Sequence, residues 1–204
     1  MIPLEYHPFE PYVPTNAKIL IMGTFPPKQE RWSMDFYYPN RINDFWRIMG
    51  IIFYGDKDYL YDSTARTFKL PLIKAMLNEK GIALNDTGHA VRRLKDNASD
   101  KYLEIVEPIP LMDVLSKIPD CHALATTGEK AGETLAALTG TAVPKIGESV
   151  SATLNDGRHV DIFRMPSTSR AYPLALDKKA AYYAEMLHQI AVSYTHLTLP
   201  TTPY

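Results

Sequence analysis

The chain has 204 residues, 46% apolar and 22% charged, which suits one well-buried domain and is too short for two comfortable ones. A formal net charge of −1 gives no global pull toward nucleic acid, and no apolar run approaches the length that crosses a bilayer. The single cysteine, Cys121, excludes an internal disulfide framework, a multi-cysteine zinc site and a cysteine-ligated iron–sulfur cluster. The start, MIPLEYHPFEPY, has no basic segment followed by an apolar core, so a cytoplasmic protein without membrane association is expected.

Lys18–Met22 is a short apolar run that reads as a buried strand. Gly23 ends it, Pro26 and Pro27 follow, and the connection carries Trp32, Phe36, Tyr37 and Tyr38. A helix then begins at Asn43 or Asp44, both good N-caps, with Phe45, Ile48, Met49 and Ile52 on one face. A second helix runs from Pro71 to a stop at Gly81, and Ile82–Asn85 forms the second strand. Pro110–Ile118 reads as a helix, His122–Thr126 as the third strand and Gly128–Leu138 as a helix of small residues. Ser149–Leu154 and His159–Arg164 flank an Asn-Asp-Gly-Arg turn and predict a hairpin. The last helix spans Asp177–Ile190, with Ala180, Tyr183, Leu187 and Ile190 on one stripe. Beyond Ala191, VSYTHLTLPTTPY breaks that pattern, and VSYTHLTLPT is what one frame of a common transposon-type sequencing adaptor translates to. A single domain over 1–191 and a non-native tail over 192–204 are therefore expected.

Strands alternating with helices predict an α/β fold: a three-layer α/β/α sandwich with a short, mostly parallel central sheet. Such sheets bind ligands at the carboxyl ends of their strands. That rule selects the loop after Met22, the stretch Asn85–His89, the stretch Thr126–Lys130 and the loop Met165–Tyr172. The Gly23–Pro27 turn lacks the lysine and glycine spacing of a phosphate-binding loop, and Thr126–Gly132 is only a loose echo of one. No histidine–carboxylate cluster has metal spacing, so neither metal nor cofactor is expected. Basic residues gather at Arg41 and Arg47, at Arg92–Lys95, at Arg164 with Arg170, and at Lys178 with Lys179; such clusters are usually solvated faces unless the fold joins them.

Two loops carry a family likeness. Gly23–Pro27 followed by Tyr37–Trp46, with its Asn-x-Phe-Trp ending at Asn43–Trp46, resembles the first motif of the uracil-DNA glycosylase superfamily. Met165–Tyr172, a Pro-Ser-Thr-Ser loop after the last strand, resembles the second. The Gly-Thr-Phe-Pro turn, the Asn-x-Phe-Trp helix start and the segment Gly81–Arg93 are most similar to the DNA-deoxyinosine (hypoxanthine-DNA) glycosylase branch, and the likeness extends from Lys18 to about Ile190. The resemblance implies a DNA glycosylase of base excision repair that hydrolyses the N-glycosidic bond of hypoxanthine or uracil flipped out of DNA. The expected partner is DNA containing a deaminated base, and a monomer is expected. The family's usual polar residues are replaced here by Phe25 in the first motif and Met165 in the second, as in the deoxyinosine branch, whose catalytic Asn maps to Asn43.

Unstacking a nucleotide costs a few kcal/mol, and an aromatic wall recovers about 1–3 kcal/mol per stacked base. On this reading Gly23, Thr24, Phe25, Pro26, Tyr37, Tyr38 and Asn85 form the base pocket, with backbone N–H groups of Gly23–Pro26 facing the departing base and the Asn85 amide reading its edge. Phe36 and one tyrosine could equally belong to the core. Asn43 could instead cap its helix, unless Asp44 takes that role. Pro166, Ser167, Thr168, Ser169 and Arg170 would lie along the DNA, the hydroxyls on phosphates and Arg170 on a phosphate or in the gap left by the flipped base, or would form an ordinary capped turn. His89, Arg92 and Arg93 suit DNA backbone contacts or a solvated loop. The rivals are a catalytically inactive relative that binds damaged or single-stranded DNA, and a small-molecule nucleoside hydrolase or transferase, which needs no basic rim.

Overall fold

A computed structural model describes residues 1–96 and 99–193, with Val192 and Ser193 described by backbone alone. The expected tail therefore lies outside the described residues, apart from those first two positions, which extend the last helix.

A two-residue strand β1 (Glu5–Tyr6) precedes β2 (Ile19–Gly23) and, after the aromatic connection, helix α1 (Phe45–Tyr54). Short strands β3 (Tyr61–Asp62) and β4 (Thr67–Phe68) lead into α2 (Leu70–Lys80) and β5 (Ile82–Asp86). Then come β6 (Gly88–Arg93), β7 (Leu103–Pro108), α3 (Leu111–Ser116), β8 (Ala123–Thr127) and α4 (Glu129–Thr139). The hairpin β9 (Ser149–Thr153) and β10 (His159–Met165) and the helix α5 (Leu176–Ser193) complete the described residues.

The central sheet has the order β5-β2-β8-β10-β9, parallel except for β9, which pairs antiparallel with β10 at the edge. Its parallel strands are buried on both faces, which is why they are near-continuous apolar runs. The alternation of side chains divides them between two cores. Ile19, Ile21, Leu84, Ala125 and Phe163 face α1, α2 and α5, whereas Leu20, Met22, Ala83, Leu124 and Ile162 face α3 and α4. The three-layer arrangement expected from the sequence is thus the arrangement found. Helix α2 stops at Gly81, whose φ of +67° suits glycine, and a Cβ there would stand 2.9 Å from the Asn16 carbonyl oxygen.

A second sheet, β1-β6-β7, was not anticipated. It places the Arg92–Arg93 run on a strand, where Arg92 pairs with Glu104 at 3.3 Å and Arg93 grips Glu5 at 3.0 Å. This sheet also delivers the N-terminal segment to the carboxyl end of β5: His7 N–H donates to the His89 carbonyl at 2.8 Å. Among the described residues no helix is long and apolar enough to cross a membrane.

Candidate active site

The parallel strands β2, β5 and β8 end side by side at Gly23, Asp86 and Thr127. Gly23 N–H donates to Asp86 Oδ1 at 3.2 Å. A Cβ on Gly23 would meet Asp86 Oδ1 at 2.9 Å, the Tyr38 hydroxyl at 3.3 Å and Thr127 Oγ1 at 3.4 Å, so glycine is what lets three polar side chains converge on one strand end. Tyr38 reaches this point from a left-handed backbone, φ +52°, rare for a residue with a bulky side chain. Its ring stacks on Phe45 with centroids 3.9 Å apart and planes 12° apart, and its hydroxyl lies 3.1 Å from Thr127 Oγ1. These contacts hold the strained turn.

Beside these strand ends lies a cleft of about 290 Å³, lined among others by His7, Phe9, Asn85, Asp86, Gly88 and His89. The orientation of the Asn85 amide is set by its neighbours. Asp86 N–H can only donate, and it meets Asn85 Oδ1 at 2.9 Å; the Tyr37 hydroxyl lies 3.2 Å from the same oxygen. The amide nitrogen therefore takes the remaining position and has no partner among the described residues. Burial, and after it the negative charge of Asp86, lifts the Tyr37 phenol well above the ordinary tyrosine value, so this hydroxyl stays a donor. Next to Asn85, Asp86 is buried and accepts from Gly23 on Oδ1, while His7 Nε2 lies 2.7 Å from Oδ2. The His7 imidazole is itself held by Phe9, whose N–H donates to Nδ1 at 3.2 Å, and is enclosed by the rings of Phe25, Tyr37 and Phe9.

Of the residues expected around a base, Asn85 alone lines this cleft; the others stand behind or beside it. Tyr37 is 1% exposed, and its single O–H is shared between the Glu10 carbonyl at 2.9 Å and Asn85 Oδ1 at 3.2 Å, so it acts on the cleft through its oxygen rather than a ring face. Phe25 packs edge-on against His7 with centroids 5.2 Å apart, under the Arg93 guanidinium. Arg93 also donates to the Pro26 carbonyl at 2.7 Å, bracing the turn that two prolines already stiffen. Thr24 donates to Asp100 at 2.7 Å. Phe36, which could have belonged to either place, is in the core against Trp46. Trp32 packs against Phe9 with planes tilted by 43° and donates to the Pro27 carbonyl at 2.7 Å. The rings of the connection thus pack mainly on rings of the N-terminal segment, His7, Phe9 and Tyr12, and of the start of α1, Phe45 and Trp46.

Asn43 caps α1: its Oδ1 accepts from Phe45 N–H at 2.9 Å, and its amide nitrogen has no partner among the described residues. Asp44 does not take over that role, because its carboxylate is engaged by Arg170 at 3.3 Å and by Lys179 at 3.0 Å. Lys179, expected on a solvated face with Lys178, is fully buried and also donates to the Ser169 carbonyl at 2.8 Å. Asp44 N–H donates to the Thr168 carbonyl at 2.9 Å, and the Tyr183 hydroxyl to the Pro166 carbonyl at 2.8 Å. Helix α5 thereby clamps the Pro166–Arg170 loop against the start of α1. Within the loop Ser167 and Ser169 make local turn bonds, Thr168 is buried, and Arg170 is half exposed. From the sequence Asp86 was marked only as a polar end of the second strand and Lys179 only as half of a basic pair, and His7 was not singled out. The signal for Lys179 was present: it sits at helical spacing from Tyr183, Met186 and Ile190, all buried. Among the described residues no group of three or more His, Cys, Asp or Glu is placed to hold a metal ion.

No family model matches the chain, and a search of curated proteins returns no match. Among solved structures the chain is similar to a protein from Methanosarcina acetivorans, provisionally named a uracil DNA glycosylase, whose structure was determined by solution NMR. The two are 20% identical over 90% of this chain and 98% of that one, with a TM-score of 0.57. That likeness shows a shared fold: a mixed α/β architecture with a mostly parallel central sheet between helices.

Proposed function

We propose that this chain is a monofunctional DNA glycosylase that removes a deaminated base, hypoxanthine or uracil, from DNA, as a cytoplasmic monomer without metal or cofactor. The observation that carries the reading is the fixed Asn85 amide, a donor aimed into a cleft at the carboxyl end of the sheet. Deamination turns an exocyclic amine, a donor, into a carbonyl, an acceptor. A donor held in place pairs with the new oxygen and faces the amine of adenine or cytosine donor to donor. The motif likeness and the shared fold add to this reading. As the base leaves with negative charge, the Thr24 and Phe25 backbone N–H groups between Gly23, whose own N–H is held by Asp86, and Pro26 stabilise it together with the Asn85 amide. Asn43, its oxygen committed to the helix, keeps its N–H donors for the water or the nucleotide. The clamped Pro166–Arg170 loop meets the phosphates, with Arg170 exchanging Asp44 for one of them.

One observation favours the rival reading, a non-catalytic binder of damaged or single-stranded DNA: the Asn43 oxygen is spent on capping α1. A single experiment separates the two. The chain ending at Ala191 is incubated with labelled duplexes holding one hypoxanthine or one uracil and then treated with hot alkali. Cleavage at the lesion that disappears with Asn43→Ala supports the glycosylase. Binding without cleavage of either duplex supports the binder.

A further inference from the structure

In the turn where the resemblance leads one to look for a carboxylate or amide, the chain has Phe25, and that ring is packed against His7. A hydrolytic glycosylase still needs a group to accept the proton of the attacking water. One carboxylate lines the cleft directly beside Asn85: Asp86, the residue that follows it on β5. Its side chain is 8% exposed, and each oxygen has a fixed donor, Gly23 N–H at 3.2 Å on Oδ1 and His7 Nε2 at 2.7 Å on Oδ2. A carboxylate oxygen has two lone-pair sites, so both oxygens keep one for a ligand in the cleft.

The architecture around it spends much to keep this carboxylate in one place. The entire N-terminal segment is brought across by β1 pairing with β6, and His7 is enclosed by the rings of Phe9, Phe25 and Tyr37. Gly23 is required so that the Asp86 side chain has room. Asp44, the other buried carboxylate near the motifs, is occupied by Arg170 and Lys179 and is not positioned to accept a proton. Glu10 and Asp113 also line the cleft, and both lack the two fixed donors that hold Asp86.

We propose that Asp86 is the catalytic base of the glycosylase, with His7 as its positioning residue; the proposal rests on the glycosylase reading above. Asn85 and Asp86, adjacent on one strand end, divide the nucleotide between them, the amide on the base and the carboxylate on the water at the sugar. A lone pair of the water oxygen forms the bond to C1′ as the C1′–N pair departs with the base. The water's proton passes to an Asp86 oxygen and from there to solvent, and the base anion takes a proton from solvent. The products are the free base and an abasic sugar.

The test is single-turnover excision on the lesion duplex that the wild type cleaves best, alongside equilibrium binding of the same duplex. Asp86→Asn keeps an acceptor for Gly23 and removes the charge. Loss of a positioned base lowers the rate by about 100-fold or more. The proposal predicts that loss with duplex affinity within threefold of wild type, and a smaller loss for His7→Gln, which leaves the carboxylate in place. Excision by Asp86→Asn within threefold of wild type overturns the proposal and leaves the glycosylase reading intact. Where Asp86→Asn fails to fold, Asp86→Ala is assayed with added sodium formate against equal sodium chloride; a rate that rises with formate alone supports the proposal, and equal rates overturn it. A wild-type chain that excises neither base overturns the glycosylase reading and this inference together.

Discussion

Replacing Lys179 by methionine should cost more than any surface lysine. The lysine side chain is 1% exposed and its Nζ lies 3.0 Å from Asp44 Oδ2, itself 7% exposed, and 2.8 Å from the Ser169 carbonyl. Methionine keeps most of the apolar stem and removes the charge, so the loss reports the ion pair rather than a cavity. Stripping one partner from a buried pair costs about 3–5 kcal/mol, because the other charge stays behind unpaired. Arg170 remains near Asp44 Oδ1 at 3.3 Å but is half exposed, which places the expected loss at the lower end, about 3 kcal/mol. For a domain of this size that corresponds to a fall in Tm of roughly 6–12 °C. Urea unfolding of wild type, Lys179→Met, Asp44→Asn and the double variant measures it, and the double variant should be less destabilised than the sum of the singles by at least about 1 kcal/mol. A single-variant loss below about 1 kcal/mol, or strict additivity, would refute the idea that this pair clamps the Pro166–Arg170 loop.

Asn85→Asp, which presents an acceptor where the deaminated base has its carbonyl, should lower excision of both lesions by about 100-fold or more in the alkali assay, and a wild-type rate would remove Asn85 from base reading. Burial, joined by the nearby Asp86 charge, raises the phenols of Tyr37 and Tyr38, and burial raises that of Tyr183. A raised folded value means stability that is complete below the unfolded tyrosine value near pH ~10 and is lost as pH climbs beyond it. Urea midpoints measured from pH 8 to 11 should therefore hold steady and then fall, by about 1.4 kcal/mol per phenol per pH unit at the steepest, and a midpoint that rises across that window would contradict the burial of these rings. Burial also pushes the Cys121 thiol up to about 12, so a thiol reagent at pH 8 should label the folded chain only at the rate of unfolding and the urea-unfolded chain at once.

The central sheet was legible because each parallel strand is an apolar run closed by a turn residue, and the expected strands differ from the observed ones by about a residue at an end. The β1-β6-β7 sheet was not, for two physical reasons. Strand β6 changes register between Gly88 and Val91, which breaks the alternation that marks a strand, and β7 carries Glu104 and Glu107 and is mostly exposed, so it reads like a loop. At the site, Asn85 was visible as a polar residue at a strand end. The His7–Asp86 contact joins positions 79 apart through an N-terminal segment whose prolines and short strand leave no periodic trace. Lys179 was hidden by its neighbour: two adjacent lysines look like one exposed face, while the helix turns them about 100° apart, one to solvent and one to Asp44.

The most direct test of the glycosylase account measures free base rather than strand breaks. Duplexes with a single hypoxanthine or a single uracil, and an undamaged control, are incubated with the chain ending at Ala191, and released base is quantified by mass spectrometry beside the count of abasic sites. The account predicts one free base per abasic site from at least one lesion duplex and none from the control. Tight binding of a lesion duplex with no base released from either would contradict it.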